Sequence, residues 1–198
     1  MKGPYGLAVM YHSVRRRGEP CPSGIRPMWT DEFERQLDWL TERFEMLDGE
    51  RLSGVLAGTY RPKEPWCVLT FDDGTKDHAT VVTPILSRRG LVGFFFLVSE
   101  PWVDRRLPAT HRVHALLSTV PERTLWETMV EAVQAEPGGA GLGEESEARR
   151  LYHYEDSIER MRIKYAVNFA LPAVVADRVA GRLIAQFAGD EAKLAEEW

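Results

Sequence analysis

Two adjacent carboxylates, Asp72 and Asp73, follow the apolar run Trp66-Cys67-Val68-Leu69-Thr70-Phe71 and precede Gly74. Successive residues of an extended segment point to opposite sides, so the two need not share a role. One can bind a divalent cation while the other takes a proton from the water that such a cation acidifies. The same triplet is also ordinary turn chemistry, since Asp and Gly both favour turns. The flanking sequence fixes where the pair must sit. Val68, Leu69 and Phe71 are residues that fill a buried strand. Gly74 permits a sharp exit. Val81, Val82, Ile85 and Leu86 then restart a helical pattern at i, i+1, i+4 and i+5. The carboxylates are therefore predicted at the C-terminal end of a buried strand, the edge where α/β sheets and barrels place their chemistry.

Two known signatures compete for this stretch. Asp73-Gly74-Thr75 matches the tail of the Asp-x-Asp-Gly-Thr signature of haloacid-dehalogenase-type phosphatases, but their nucleophile would fall on Phe71, which has none. Thr70-Phe71-Asp72-Asp73-Gly74 resembles the first motif of the polysaccharide deacetylases, the NodB-like carbohydrate esterases. Leu7-Ala8-Val9-Met10-Tyr11-His12-Ser13-Val14 is similar to that family's opening strand with its Tyr-His pair. Phe33, Gln36, Leu37 and Leu40 look like its first helix, and Pro84 to Phe96 like the helix and strand after the Asp pair.

The resemblance implies an α/β fold: the N-terminal part of a distorted (β/α) barrel, followed by an α-helical extension. It implies a metal-dependent hydrolase that removes N-acetyl groups from a sugar or polysaccharide. Asp72 would be the catalytic base, Asp73 a ligand of a divalent metal, zinc, and Tyr11 and His12 would lie near the pocket. The family completes its metal site with a His-[Ser/Thr]-x-x-His motif. Here Arg16 stands four residues after His12, and Thr110-His111-Arg112-Val113-His114 has its histidines at i, i+3. His111 and His114 remain candidate ligands at a spacing that is not the family's. Arg26-Pro27, Arg61-Pro62 and Asp38-Trp39 do not match the later motifs, and His153 reads as a surface residue. The expectation is that the chain covers the first part of such an enzyme, with the histidine motif beyond Trp198. Zinc binding by these residues alone is then expected to be weak or absent.

The elements that must position these residues follow from pattern. Leu7–Val14 reads as a strand ending at Tyr11 and His12, and Arg15–Pro27 as a loop with a solvated arginine run. A helix spans Asp31–Phe44, capped by Thr30 or Asp31, with Phe33, Leu37, Leu40 and Phe44 as its apolar stripe and Trp39 at the margin. A short strand near Phe44–Leu47 and a helical turn near Leu52–Ala57 lead to the central strand. Lys76–Arg89 reads as a helix ended by Gly90, with Asp77 and His78 as helix-start capping and a solvated imidazole. Val92–Val98 is apolar enough to expect burial on both faces.

After Pro101–Ala109, a loop, the chain reads as helical: His111–Val120, Pro121–Ala135, one or two helices in Glu145–Leu171, Val174–Phe187 and Glu191–Trp198. Pro137–Gly143 is a flexible linker. Residues 1–109 are thus expected to form the partial barrel and 110–198 the helical part. With 198 residues, 44% hydrophobic and a net charge of −5, one globular domain is affordable and a nucleic-acid footprint is not expected. Cys21 and Cys67 read as free thiols of a reducing compartment. No apolar segment suggests a signal peptide or membrane span, so a cytoplasmic location is expected. A partial barrel exposes strand edges, which favours a homodimer or association with a missing C-terminal half. The alternative is a non-catalytic module that binds sugar or a partner through Tyr11, His12, Trp29, Trp66 and Trp102.

Overall fold

The computed structural model describes residues 4–19, 27–137, 141–152 and 156–197. Cys21, Arg26, His153 and Trp198, with part of the expected loop and linker, lie outside the described residues. Two compact units divide between Val98 and Ser99.

The first unit is built on β1 (Gly6–Tyr11), β2 (Val14–Arg15), β3 (Met28–Trp29), α1 (Thr30–Thr41), β4 (Glu45–Met46), α2 (Gly49–Ala57), β5 (Trp66–Phe71), α3 (Thr83–Arg89) and β6 (Gly93–Phe95). A π-helical stretch, His78–Val82, runs directly into α3. The sheet is four-stranded and all its pairings are parallel, with β5 at the centre. β1 pairs along its whole length, from Gly6↔Trp66 to Tyr11↔Phe71. On the other side β4 pairs with the start of β5 and β6 with its end. The opening strand is shorter than the sequence suggests. It breaks after Tyr11, and Val14–Arg15 pairs separately with Met28–Trp29.

Alternation explains which face is buried. Tyr11 is buried and Leu7 and Val9 partly so, while Gly6, Ala8 and Met10 are exposed. Against the first set pack Phe33, Leu37 and Leu40 of α1, then Val81, Val82, Ile85 and Leu86. Fully burying a side chain such as Phe33 or Leu69 contributes about 1.5–3 kcal/mol. The start of α1 differs from the expected cap: Trp29 holds that position, and Glu32 Oε2 accepts from its N–H at 3.4 Å. Cys67 is buried inside β5, which pushes its thiol pKa up to about 11 and keeps it protonated. Burial on both faces does not hold for Val92–Val98. Its strand is confined to Gly93–Phe95, and Phe96 and Leu97 are 58% and 66% exposed. Among the described residues β6 pairs only with β5, and an edge position leaves part of an apolar run open.

The second unit is helical: α4 (Glu100–Val103), which overlaps the start of the expected loop, α5 (Ala109–Leu117), α6 (Glu122–Gln134), α7 (Glu145–Leu151), α8 (Ile158–Tyr165), α9 (Ala173–Phe187) and α10 (Glu191–Glu197). Pro108, Pro121 and Pro172 each stand immediately before a helix, where a missing N–H does no harm. Leu125, Met129 and Val133 of α6 recur at i, i+4, i+8 and pack with Val113, Leu116, Ile163, Val179 and Leu183 in one core. Arg112, 1% exposed, lies beside that core. Its guanidinium donates to Asp177 Oδ1 at 2.6 Å, to the Asp177 carbonyl at 3.1 Å and to Glu191 Oε1 at 2.6 Å. The Leu107 N–H donates to the same Glu191 oxygen at 2.8 Å, so one buried cation ties α5, α9 and α10 together.

Candidate active site

The end of β5 is held on both sides. The Asp72 N–H donates to the Tyr11 carbonyl at 2.9 Å, and the Phe96 N–H donates to the Phe71 carbonyl at 2.8 Å. One residue before the carboxylates an aromatic row crosses the three strands. The Tyr11 ring stacks on Phe71 at 5.2 Å and Phe71 on Phe95 at 4.8 Å, each pair adding about 0.5–1.5 kcal/mol. Gly93 lets β6 come this close, since a Cβ there would lie 2.8 Å from the Phe71 ring.

The chain then turns through two successive left-handed residues, Asp73 at φ 79° and Gly74 at φ 68°. Asp followed by Gly is one of the few pairs that tolerate positive φ at both central positions of a turn. Turn chemistry and a site for chemistry are therefore not exclusive here. The turn forms because the residues are Asp and Gly, and it leaves two half-buried carboxylates at the strand's end. A non-glycine residue in left-handed backbone carries local strain of a kind that gathers at functional sites.

Tyr11 and His12 diverge. Tyr11 turns into the core, where its hydroxyl donates to Gln36 Oε1 at 2.7 Å and burial pushes its pKa well above the usual phenol value. His12 is exposed. His12 directly follows the last paired residue of β1, and Asp72 directly follows its partner Phe71 on β5. His111 and His114 belong to the second unit, on α5, with ring centroids 6.3 Å apart. Among the described residues no group of three or more His, Cys, Asp or Glu is arranged to hold a metal ion.

Asp77 and His78 correct the sequence reading. Rather than a solvated start of a helix, they are 6% and 4% exposed. Asp77 Oδ2 accepts from the Val14 N–H at 2.5 Å, and His78 Nε2 meets the His12 carbonyl oxygen. The signal was present in the spacing. His78, Val81, Val82 and Ile85 fall at i, i+3, i+4 and i+7, so His78 belongs to the buried stripe.

Residues 59–137 match the polysaccharide deacetylase family model. A putative polysaccharide deacetylase, YxkH of Bacillus subtilis (strain 168), is 27% identical over 93 residues, 46% of this chain and 31% of that protein. The matched part thus spans less than a third of the curated relative. Among solved structures, a de-N-acetylase from Aggregatibacter actinomycetemcomitans aligns over 81% of this chain and 84% of its own, with 14% identity and a TM-score of 0.43. The Streptococcus pyogenes deacetylase PplD, solved in complex with acetate, aligns over 92% and 80%, with 16% identity and a TM-score of 0.39.

Proposed function

We propose that the protein carrying this chain is a deacetylase that hydrolyses the N-acetyl group of a sugar or polysaccharide. The observation that carries this reading is the carboxylate pair on a left-handed turn at the C-terminal end of the central parallel strand, inside the stretch that matches the deacetylase family. In the reaction, water adds to the amide carbonyl carbon, the C–N bond breaks, and acetate and a free amine result. Asp72 is the base that takes the water's proton; the leaving nitrogen must gain one. The four-stranded sheet is, in this reading, an open segment of the (β/α) barrel.

A divalent cation, zinc, belongs to the same reading, with Asp73 as its ligand. A zinc site normally takes three protein ligands, and the described residues do not assemble three. They do not fit a complete site.

The test is acetate release from N-acetylglucosamine oligomers by the full-length protein. Asp72→Asn is expected to lower kcat by about a hundredfold or more, the scale of losing a general base. Normal turnover in Asp72→Asn would remove Asp72 from that role.

A further inference from the structure

Asp77 and His78 are consecutive, buried and polar, and each grips the backbone of the segment that follows β1. Asp77 Oδ2 takes the Val14 N–H at 2.5 Å. His78 Nε2 faces the carbonyl of His12. A ring nitrogen against a carbonyl oxygen must carry the hydrogen, so Nε2 donates, and in the neutral ring Nδ1 is left as an acceptor. The His78 ring is flanked by Phe71 and Phe95, each with its centroid 5.6 Å away. Together with the Asp72 N–H on the Tyr11 carbonyl at 2.9 Å, this joins Tyr11, His12 and Val14 to the stretch Asp72–His78 by three separate hydrogen bonds.

Stability alone does not select this arrangement. Thr75 Oγ1, Asp77 Oδ1 and His78 Nδ1 are buried with no hydrogen-bond partner among the described residues. Such an atom costs about 1–3 kcal/mol when no ordered water reaches it. An apolar residue at position 78 would extend the stripe of Val81, Val82 and Ile85 without that penalty. What the polar pair supplies is a fixed path for the backbone on either side of Ser13, directly beside the carboxylate turn.

We propose that Asp77 and His78 are positioning residues of the carboxylate site: they tie the His12–Val14 segment to the stretch that carries Asp72 and Asp73, fixing the backbone of His12 just past Tyr11, whose carbonyl accepts from the Asp72 N–H. The inference rests on the deacetylase reading for the reaction it serves, while the clamp itself stands on geometry.

The test uses four clamp substitutions in the full-length protein, each alone and together with Asp72→Asn. Asp77→Ala and His78→Leu remove the grips. Asp77→Asn keeps an acceptor and His78→Gln an N–H donor. In amide NMR spectra of the wild type, the Val14 N–H is expected to be protected from exchange, and Asp72→Asn to shift the signals of His12–Val14 as well as its own turn. In Asp77→Ala and His78→Leu the Val14 amide should exchange about tenfold faster or more, and Asp72→Asn should no longer be felt at His12–Val14. Asp77→Asn and His78→Gln should retain both signatures. In acetate release, the two disruptive variants should lose about tenfold or more in kcat, with KM within about twofold, and the two conservative ones should keep most of it. Folded Asp77→Ala and His78→Leu proteins with unaltered signatures overturn the proposal. A wild type that releases no acetate overturns the deacetylase reading instead, and the amide signatures alone then decide the clamp. If the disruptive variants do not fold, the wild type decides: a protected Val14 amide that responds to Asp72→Asn upholds the clamp, and an unprotected or unresponsive one overturns it.

Discussion

Replacing Gly74 by alanine should weaken the protein by an amount that the turn geometry sets. At φ 68° an L-residue pays about 1–2 kcal/mol for left-handed backbone. The lower freedom of alanine in the unfolded chain returns about 0.4–1 kcal/mol of that. The new Cβ would lie 2.7 Å from Leu97 Cδ2 and 3.4 Å from Leu97 Cα. The exposed Leu97 side chain can rotate away, so the steric part is small. The net loss is about 1 kcal/mol. That lowers the melting temperature by about 4–8 °C if the first unit melts by itself, and by about half as much if the whole chain melts as one. Asp73→Gly, one residue earlier at φ 79°, should do the opposite or nothing: it relieves the same strain at the expense of glycine's own freedom, for a gain of about 0–1 kcal/mol. Circular-dichroism melts of the two variants, with acetate release alongside, check both. Asp73→Gly should be at least as stable as the parent and yet inactive, the signature of a residue kept for function. A Gly74→Ala protein as stable as the wild type would refute the left-handed turn, and the site geometry with it.

Three further outcomes are expected. Arg112→Ala should cost about 3 kcal/mol, the low end for breaking a buried ion pair, because the side chain of Asp177 is 41% exposed and can be rehydrated. Burial raises the Asp177 pKa, but the Arg112 hydrogen bond and charge, with Arg106, outweigh that and leave it below the usual aspartate value. The stability it contributes is then full above the unfolded value of 3.8 and lost as pH falls through the lower folded one; denaturant melts of wild type and Arg112→Ala should converge there, and a constant gap would count against the ion pair. Zinc titrated into these 198 residues by calorimetry should bind weakly, because Asp73 alone is assigned as a ligand; a submicromolar site lost in His111→Ala or His114→Ala would move the metal to α5. Finally, the exposed Phe96 and Leu97 beyond the β6 edge should make the chain self-associate, seen as a sedimentation coefficient that rises with concentration in the micromolar range, and a strict monomer would argue against an uncovered edge.

Much of the first unit was legible because its signals are local. The run Trp66–Phe71 could only be a buried strand, the stripe Phe33, Leu37, Leu40 only a helix face, and Asp73-Gly74 carries its turn in its own residue types. The parts that were not legible depend on what lies across the sheet or across the chain. An apolar run such as Val92–Val98 reads the same at a sheet's edge as at its centre, so its exposure could not be seen in advance. Arg112 finds Asp177 and Glu191 at separations of 65 and 79 residues, and nothing in the spacing of α5 announces them.

Asp77 and His78 fall between these cases. Their types suggest a solvated helix start, since Asp favours caps and histidine is often exposed. Their spacing places His78 in the buried stripe, and in the structure spacing wins: the ring packs against Phe71 and Phe95 and is 4% exposed. Once the imidazole is buried its polar atoms need partners, and the nearest backbone belongs to the turn after β1. The hydrogen bond to His12 thus satisfies Nε2 and leaves Nδ1 without a partner among the described residues, and this conflict between residue type and position, more than the Asp-Asp-Gly motif itself, marks where the chain departs from simple packing.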